Sequence, residues 1–373
     1  MRMPLFRGAK RWLILVTGML LSSILLAACG ENSPSILNTA GPVAQSESGV
    51  FYAILIIATI VFVLVEGILI FSIIRFRERP GAPTPKQLHG NTKIEVIWTV
   101  VPAIILFIVL GYTIRGLFEV ATPPTTGPTM NVTAFGHQWW WEFYYPEYNI
   151  TTADSLVIPA NTTVHVRLYS NNVIHSFWVP ELTGKTDVVP GHDNEKWFKA
   201  DYPNKTYLGL CAEYCGTQHA NMKFNVVSDT SDNFMAWVHT QQTAASTAND
   251  GSLAAKGAEV FKNAGCTACH GIIGSDMKTV VDPTQKCDAP SAGPADGCYV
   301  GPNLTHFGSR NLIAGGVLEN NADQCQSSSN LQNCNLAKWL NDPQGIKPGN
   351  DMQIGQLTHE QITQLVAYLE SLK

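Results

Sequence analysis

Two long apolar runs lie close together near the start of the chain. Residues 50–74 and 94–112 are each long enough to cross the hydrocarbon core of a bilayer as a helix. The segment between them is basic, and its cationic residues are Arg75, Arg77, Arg79, Lys86 and Lys93. Because short basic loops remain in the cytoplasm, we expect a two-helix transmembrane hairpin over residues 50–118, with the rest of the chain outside.

A shorter apolar stretch precedes the hairpin. It covers residues 12–26, follows a basic N-terminal segment and ends at Leu26-Ala27-Ala28-Cys29. A basic segment followed by a short apolar run indicates a secretory signal peptide, which we place at residues 1–28. The final four residues resemble the lipoprotein box of bacteria, which predicts cleavage before Cys29 and a lipid anchor on its thiol. An ordinary signal peptide cleaved nearby is the alternative.

Alternation of apolar and polar residues begins after a Pro-rich spacer at residues 122–128. Val164, Val166 and Leu168 alternate with polar residues, which is the period of strands with one buried face. Short strands separated by turn residues predict a β-sandwich or a Greek-key barrel, here over residues 126–230. This region should therefore form an all-β domain.

A polar stretch of small residues follows the predicted β-domain. Residues 231–251 are expected to be a linker, with a short helix over residues 231–239 at its start. The last segment, residues 252–373, begins with a predicted helix over residues 253–262. It ends with a helix that starts at the capping box of Thr358. The pattern thus predicts helices at both ends of a C-terminal domain.

Composition adds information about partners and about cysteine chemistry. Charged residues make up 14% of the chain and the net charge is −5, which gives no sign of a nucleic-acid partner. Of the nine cysteines, four lie outside any motif, and an even number in an exported domain indicates disulfides. We expect nearest-neighbour pairing, Cys287–Cys298 and Cys325–Cys334, among three connectivities, with free thiols as the alternative.

One short loop concentrates soft metal ligands. It contains the thiols of Cys211 and Cys215, the imidazole of His219 and the thioether of Met222. Copper prefers this combination, and a second thiolate four residues from the first could bridge two copper ions. A second imidazole is available from His175, at the end of a strand-like run. A disulfide between the two cysteines and a zinc site with His219 are the alternatives.

A second motif, Cys266-Thr-Ala-Cys269-His270, is a haem attachment signature. Its two thiols bond covalently to the haem, and the adjacent imidazole binds the iron; a redox or zinc pair is the alternative. Methionine is a common second axial ligand. Met352 is the expected one, because Met277 lies too close to His270 to reach the opposite face of the haem. His306 and His359 are the alternative ligands.

The two motifs and their flanks resemble subunit II of haem–copper oxidases of the caa type, which carries a fused class I cytochrome c. The resemblance runs from about residue 50 to the end of the chain. It implies a cupredoxin fold for the β-domain, an all-α cytochrome c domain over residues 252–373 and a binuclear copper centre, CuA. The implied copper ligands are His175, Cys211, the backbone carbonyl of Glu213, Cys215, His219 and Met222. The side chain of Glu213 would share a magnesium ion with subunit I.

The same resemblance implies roles for three further residues. Trp139, in the aromatic segment that follows Gln138, corresponds to the surface residue at which electrons enter. Glu95 corresponds to a glutamate at the mouth of a proton channel that leads into subunit I. Asp187 belongs to a loop that reaches toward haem propionates in subunit I, and His192 stands in that loop where the family usually has Arg.

The function implied by the resemblance is electron input to an oxidase. An external donor, which could be a soluble cytochrome, a cupredoxin or an upstream complex, would reduce the covalent haem c. Electrons would pass to CuA and on to haem in subunit I, where oxygen is reduced and protons are pumped. The chain would thus belong to an oxidoreductase and proton translocase, without being catalytic alone. It would be a multi-pass protein of the bacterial cell membrane, in contact with subunit I and other oxidase subunits.

Three other functions remain as alternatives at this stage. One is a membrane-anchored haem c and CuA carrier that serves another terminal reductase. Another is a copper delivery or sensing lipoprotein, which the haem motif disfavours. The third is a quinol oxidase subunit, although the quinol oxidase relatives lack the copper ligands present here.

Overall fold

The computed structural model of the chain contains two long apolar helices, a β-sandwich and a helical C-terminal domain. The residues that it describes are 16–18, 20, 34–77, 80–81, 87, 90–170, 172–245, 251–272, 301–325 and 331–373. The predicted lipidation site Cys29, the residue Met277 and the predicted pair Cys287 and Cys298 lie outside the described residues. Most of the predicted signal peptide does so as well.

The two apolar runs form helices α1 (Pro42–Arg75) and α2 (Thr92–Ala121), which pack against each other. Both are long and apolar enough to cross a membrane, as predicted. Each extends beyond its apolar run. Pro42 begins α1 because its fixed φ suits the first helical turn, and the side chain of Asn91 caps α2 by accepting hydrogen bonds from the N–H groups of Lys93 and Ile94.

The N-terminal end of α1 and the C-terminal end of α2 contact the β-domain. The N–H of Ala40, just before α1, donates to the carbonyl of Glu181 at 2.8 Å. The indole N–H of Trp197 donates to the carbonyl of Val120, at the end of α2, over 2.7 Å. The extra helical turns therefore connect the membrane hairpin to the sandwich.

The sandwich consists of two five-stranded sheets within the described residues. One sheet has the order β3-β2-β1-β5-β8 and the other has the order β4-β10-β9-β6-β7, with β1–β5 and β4–β10 as parallel pairs. The strands are β1 (Thr129–His137), β2 (Trp140–Tyr145), β3 (Ile150–Ala153), β4 (Ser155–Pro159), β5 (Thr163–Tyr169), β6 (His175–Val179), β7 (Thr183–Val188), β8 (Asn194–Phe198), β9 (Lys205–Cys211) and β10 (Lys223–Asp229). This cupredoxin-like architecture confirms the predicted fold class.

Aromatic and branched side chains fill the space between the two sheets. The predicted alternation in β5 is confirmed, because Val164, Val166 and Leu168 are all buried. From the other side, Phe224 of β10 lies 5.4 Å from Trp141 of β2, measured between ring centroids. Burial of such large rings supplies most of the driving force for closing the two sheets.

The strand that begins at His175 corrects one expectation. We expected His175 at the end of a strand-like run, but it is the first residue of β6. Polar residues form a turn immediately before it. The Ser170 hydroxyl donates to the carbonyl of Val173 at 2.7 Å, and the Asn172 side chain accepts from the N–H of Val173 at 2.7 Å. This local turn delays the strand until His175.

The first part of the predicted linker is a helix that packs on the sandwich. Helix α3 (Ser231–Gln242) begins at Thr230, whose side chain accepts a hydrogen bond from the N–H of Asn233. Phe234 is buried, and Trp237 packs on Tyr145 with ring centroids 5.3 Å apart. Aromatic spacing along one helical face therefore extends the β-domain to residue 242.

The C-terminal domain is mainly helical, as predicted. Its elements are α4 (Leu253–Asn263), α5 (Asn335–Asn341), α6 (Pro343–Ile346), α7 (His359–Ser371) and a hairpin of β11 (Leu312–Ile313) and β12 (Leu318–Glu319). The capping box predicted at Thr358 is present at the start of α7. Cys325 and Cys334 form a disulfide, which confirms that pairing.

Helices α4 and α7 pack against each other at a glycine. A Cβ added at Gly257 would lie 2.0 Å from the carbonyl oxygen of Gln364 and 2.6 Å from the Cβ of Tyr368. Only a residue without a side chain permits this approach. Gly257 therefore lets the two helices approach closely.

Asp154 is a buried carboxylate in the tight connection between β3 and β4. It adopts a left-handed φ of 56°, and its Oδ1 accepts a hydrogen bond from the N–H of Trp141 at 2.9 Å. Burial raises its pKa from 3.8 to about 6, although Lys347 and Arg310 of the C-terminal domain and the neighbouring His137 favour the charged form. Asp154 therefore holds a proton more tightly in the folded chain than in the unfolded one.

We expect Gly257→Ala to destabilise the C-terminal domain by about 1–3 kcal/mol or more, because an added methyl group forces two helices apart. Chemical unfolding of the full chain, followed by circular dichroism, measures this change. Glu259→Ala, at an exposed position of the same helix, is the control and should change stability little. Equal stability of the two variants would contradict the close-packing role of Gly257.

Asp154→Asn is expected to change how stability depends on pH. Between its unfolded pKa of 3.8 and its folded pKa of about 6, Asp154 binds more protons when folded. Its contribution to the free energy of unfolding therefore falls as the pH rises through this window, by at most about 3 kcal/mol. Thermal unfolding of wild type and variant at several pH values between 4 and 7 compares the two. A difference in melting temperature that is constant across this range would contradict the expectation.

Candidate copper and haem sites

Two thiols and an imidazole meet at one end of the sandwich. The Sγ atoms of Cys211 and Cys215 are 3.8 Å apart, and Cys211 Sγ lies 3.8 Å from Nδ1 of His175. The ligand atoms of these three buried residues all lie within 4.8 Å of one another. Both thiols are free, and their separation is far longer than an S–S bond, so the structure does not support the disulfide alternative.

The remaining predicted ligands complete the same cluster. Nδ1 of His219 lies 3.7 Å from Cys215 Sγ, and Sδ of Met222 lies 3.8 Å from the same sulfur. The backbone carbonyl oxygen of Glu213 is 3.3 Å from Cys211 Sγ. The structure therefore brings together all six predicted copper ligands.

The strands on either side hold the ligand loop closed. Cys211 ends β9, and its N–H donates to the carbonyl of Met222, just before β10, at 3.0 Å. Gly136 of β1 permits close approach of His175, since a Cβ there would lie 2.8 Å from the imidazole ring. Ligands separated by many residues thus meet because strand pairing fixes their spacing.

The two neighbouring thiols shift each other's pKa in opposite directions. A hydrogen bond from Cys215 lowers the pKa of Cys211 to about 3, with burial opposing and His175 adding to the effect. The same interaction and burial raise the pKa of Cys215. Metal binding requires both thiolates, so it would release any proton that the pair still holds.

The donor set fits copper better than zinc. Structural zinc sites are tetrahedral and use thiolate, imidazole or carboxylate ligands. This cluster adds the soft thioether of Met222 and the carbonyl of Glu213 to two thiols and two imidazoles. Thioether and thiolate ligands together favour copper, so the residues fit the group that the sequence predicted.

The haem motif lines a cavity of 290 Å³ in the C-terminal domain. Cys266, Cys269, His270 and Met352 all face it. Nδ1 of His270 lies 2.9 Å from the carbonyl oxygen of Pro302, which can only accept, so Nδ1 carries the proton and Nε2 remains for the iron. Burial lowers the pKa of His270, which keeps the imidazole neutral.

The position of Met352 favours it over the other candidate ligands. His306 and His359 are not among the described residues that line the cavity. His306 is buried, and within the described chain neither of its ring nitrogens has a hydrogen-bond partner, whereas His359 is exposed at the start of α7. The cavity with its thiols, its imidazole and its thioether fits a covalently bound haem.

The cavity also reaches the β-domain. Trp139, Trp140 and Asp154 contribute to its lining, together with Lys347 of the C-terminal domain. The indole N–H of Trp139 donates to the carbonyl of Cys215 at 3.0 Å. Trp139 therefore lies between the haem cavity and the copper loop, half-buried rather than openly exposed.

Sequence reasoning did not identify Asp154 and Lys347 as parts of this region. Both are buried charged residues, at 5% and 3% exposure. Lys347 stands in the segment that carries Met352, but nothing in its local sequence indicates a contact with another domain.

Three other predicted residues do not line the haem cavity. Glu95 is in the first turn of α2, where its carboxylate accepts a hydrogen bond from the N–H of Asn91 at 3.2 Å. Asp187 is exposed on β7, opposite Ser176 and therefore one residue from His175. The carboxylate of Glu213 is exposed beside the copper ligands.

Three family models match successive parts of the chain. The transmembrane domain of cytochrome c oxidase subunit II matches residues 34–115, and the periplasmic domain of the same subunit matches residues 149–229. The cytochrome c family matches residues 254–373. The order agrees with that of the membrane helices, the sandwich and the helical domain.

Several curated relatives match along almost the whole chain. Cytochrome c oxidase subunit 2 of Alkalihalophilus pseudofirmus is 34% identical over 100% of this chain and 99% of its own length. The protein of the same name from Bacillus sp. (strain PS3) is 36% identical over 98% of this chain and 99% of its own length. That from Bacillus subtilis is 32% identical over 98% of both chains.

Among solved structures, the periplasmic domain of subunit II of cytochrome oxidase from Bradyrhizobium japonicum is 28% identical. The match covers 32% of this chain and 97% of that domain, with a TM-score of 0.30. The full-length relatives and the three successive family matches are decisive. The chain belongs to the cytochrome c oxidase subunit II family of the haem–copper oxidases, in the form that carries a cytochrome c domain at its C-terminal end.

Proposed function

We propose that this chain is the electron-input subunit of a bacterial cytochrome c oxidase. It accepts electrons from an external donor at its C-terminal domain and delivers them through its copper site to subunit I, where oxygen is reduced and protons are pumped. The observation that carries the proposal is the cavity lined by both Cys266 and Trp139, because the indole of Trp139 is bonded to the copper loop. Family membership favours this function over copper delivery or service to another reductase.

The copper ions are assigned to the six converging ligands. His175, Cys211, Cys215, His219 and Met222 bind through side chains, and Glu213 binds through its carbonyl. Bound copper and haem supply reversible one-electron chemistry. The buried sandwich behind the ligands resists movement, which keeps the ligand geometry similar in both oxidation states.

The haem is assigned to the C-terminal cavity. Cys266 and Cys269 would attach it covalently, and His270 and Met352 would bind the iron. The carbonyl of Pro302 orients His270 by accepting its Nδ1 proton. Cys269 is exposed, so one edge of the cavity is accessible to an external donor.

Three acidic side chains are assigned to the contact with subunit I. Glu213 and Asp187 are exposed beside the copper ligands. Glu213 would bind a magnesium ion shared with subunit I. Asp187 would lie near the haem propionates of subunit I. Glu95 would stand at the mouth of a proton channel. The helices α1 and α2 would cross the bacterial cell membrane as a hairpin, after removal of a signal peptide and attachment of a lipid at Cys29.

We expect two copper ions and one haem per chain, with one unpaired electron shared by the two coppers in the oxidised form. Cys215→Ser should remove the shared-electron signal, because it deletes one of the two thiolate ligands. Metal analysis and electron spin resonance of the full chain in detergent measure both quantities. Joint replacement of Cys325 and Cys334 by serine is the control and should leave the copper signal unchanged. A single copper ion or zinc in the wild type would contradict the assignment.

Met352→His should lower the reduction potential of the haem, on the order of 0.1 V, because a thioether ligand stabilises the reduced iron better than an imidazole does. A redox titration followed by visible absorption measures the change. His359→Ala is the control and should leave the potential unchanged. The assignment fails if His306→Ala alters the iron coordination and Met352→His does not.

A further inference from the structure

A buried ammonium group connects the C-terminal domain to the β-domain. Lys347 is only 3% exposed, and its Nζ donates to the carbonyl oxygen of Trp139 at 2.6 Å and to that of Asn221 at 3.2 Å. A third hydrogen bond, 2.8 Å long, runs to the carbonyl of Ala314 in its own domain. An ammonium has three N–H donors, so all of them are satisfied by main-chain oxygens.

Such a group is stable in this position only while the two domains stay together. Removing an ammonium from water costs several kcal/mol unless hydrogen bonds replace the lost hydration. Two of the three hydrogen bonds that replace the hydration of Lys347 have acceptors in the β-domain. Asp154 of the β-domain also attracts Lys347 and Arg310, so the charges on the two sides are complementary.

Two further hydrogen bonds flank the ammonium. The side-chain amide of Gln218, in the copper loop, donates to the carbonyl of Pro348 at 2.7 Å. The N–H of Lys223, at the start of β10, donates to the carbonyl of Gly315 at 3.1 Å. Pro348 follows Lys347 in the chain, and Gly315 follows Ala314. The hydrogen bonds between the two domains therefore form one continuous contact.

Gly315 allows the two main chains to approach. It has a left-handed φ of 69°, and a Cβ there would lie 2.4 Å from the carbonyl oxygen of Trp139. It would also lie 2.3 Å from Nζ of Lys347. Any side chain at this position would therefore separate the domains at the ammonium.

The contact connects the two metal-binding loops through one residue. The carbonyl of Trp139 accepts from Lys347, and its indole N–H donates to the carbonyl of Cys215 in the copper loop. On the other side, Lys347 begins the segment that ends at Met352 in the haem cavity. Movement of one loop relative to the other would break this series of hydrogen bonds.

We propose that Lys347 is a positioning residue that locks the C-terminal domain onto the Trp139 face of the β-domain. This face is thereby occupied by the chain's own domain, and an external donor must deliver electrons to the C-terminal domain. A flexible tether alone provides an effective concentration of about 1 mM, whereas the lock provides one defined geometry. The effect on electron transfer rests on the proposed function; the docking itself does not.

The amide of Lys223 reports on docking, because its acceptor belongs to the other domain. We would measure hydrogen–deuterium exchange of this amide in the full chain with copper and haem bound. Lys347→Met should speed its exchange roughly tenfold or more, which corresponds to about 1.4 kcal/mol of lost docking free energy. The amide of Cys211, bonded within the β-domain, is the internal reference and should not change.

Matched variants separate docking from general damage. Lys338→Met removes an exposed lysine whose side chain bonds to Asn335 of its own helix, and should have no effect. Gly315→Ala should open the contact without changing a charge. Its control is Gly251→Ala, which also places alanine at a positive φ, of 80°, but in open space. Lys347→Arg keeps the charge and should restore part of the protection.

Electron transfer supplies the second measurement. After rapid reduction of the haem, transfer to copper within the chain should be slower in Lys347→Met and Gly315→Ala than in the wild type and in both controls, with unchanged copper and haem spectra. The proposal is overturned if both variants protect the Lys223 amide as well as the wild type does. A wild type that is docked but transfers no electron would instead contradict the proposed function and leave the lock intact.

Discussion

The pairing of β9 with β10 is the constraint on which the copper site depends. The main-chain hydrogen bond between Cys211 and Met222 closes the ligand loop, so that two thiols, an imidazole and a thioether face one point. The same hydrogen bond joins the site to the sandwich core, because β9 ends and β10 begins beside it. Because the two sheets are closed by large buried rings, the ligand positions are fixed by the whole domain rather than by the loop alone.

The second site depends on the first through the domain contact. The haem cavity lies in the C-terminal domain, but residues of the β-domain form part of its wall. Trp139 contributes one side of this wall and bonds to the copper loop with its indole. The two metal-binding regions are therefore parts of one continuous structure, although their motifs lie in separate domains.

Local motifs could be predicted from the sequence because their residues are neighbours in the chain. The copper loop and the haem signature are both of this kind, as is the capping box at Thr358. His175 lies 36 residues before Cys211 and could be assigned only through resemblance to a family. Lys347 could not be predicted, because its acceptors are main-chain oxygens 208 and 126 residues away, which no side-chain pattern marks. Likewise, only the folded sandwich shows that α3 completes the core rather than acting as a linker.

The acceptors of Lys347 have a consequence for how this contact can change during evolution. All three are carbonyl oxygens, which every amino acid carries, so substitutions at Trp139, Asn221 or Ala314 leave an oxygen available. The contact therefore depends on keeping the lysine at Lys347 and the glycine at Gly315. Related chains could therefore differ widely in sequence on the β-domain side of this contact and still keep their two domains in the same relative orientation.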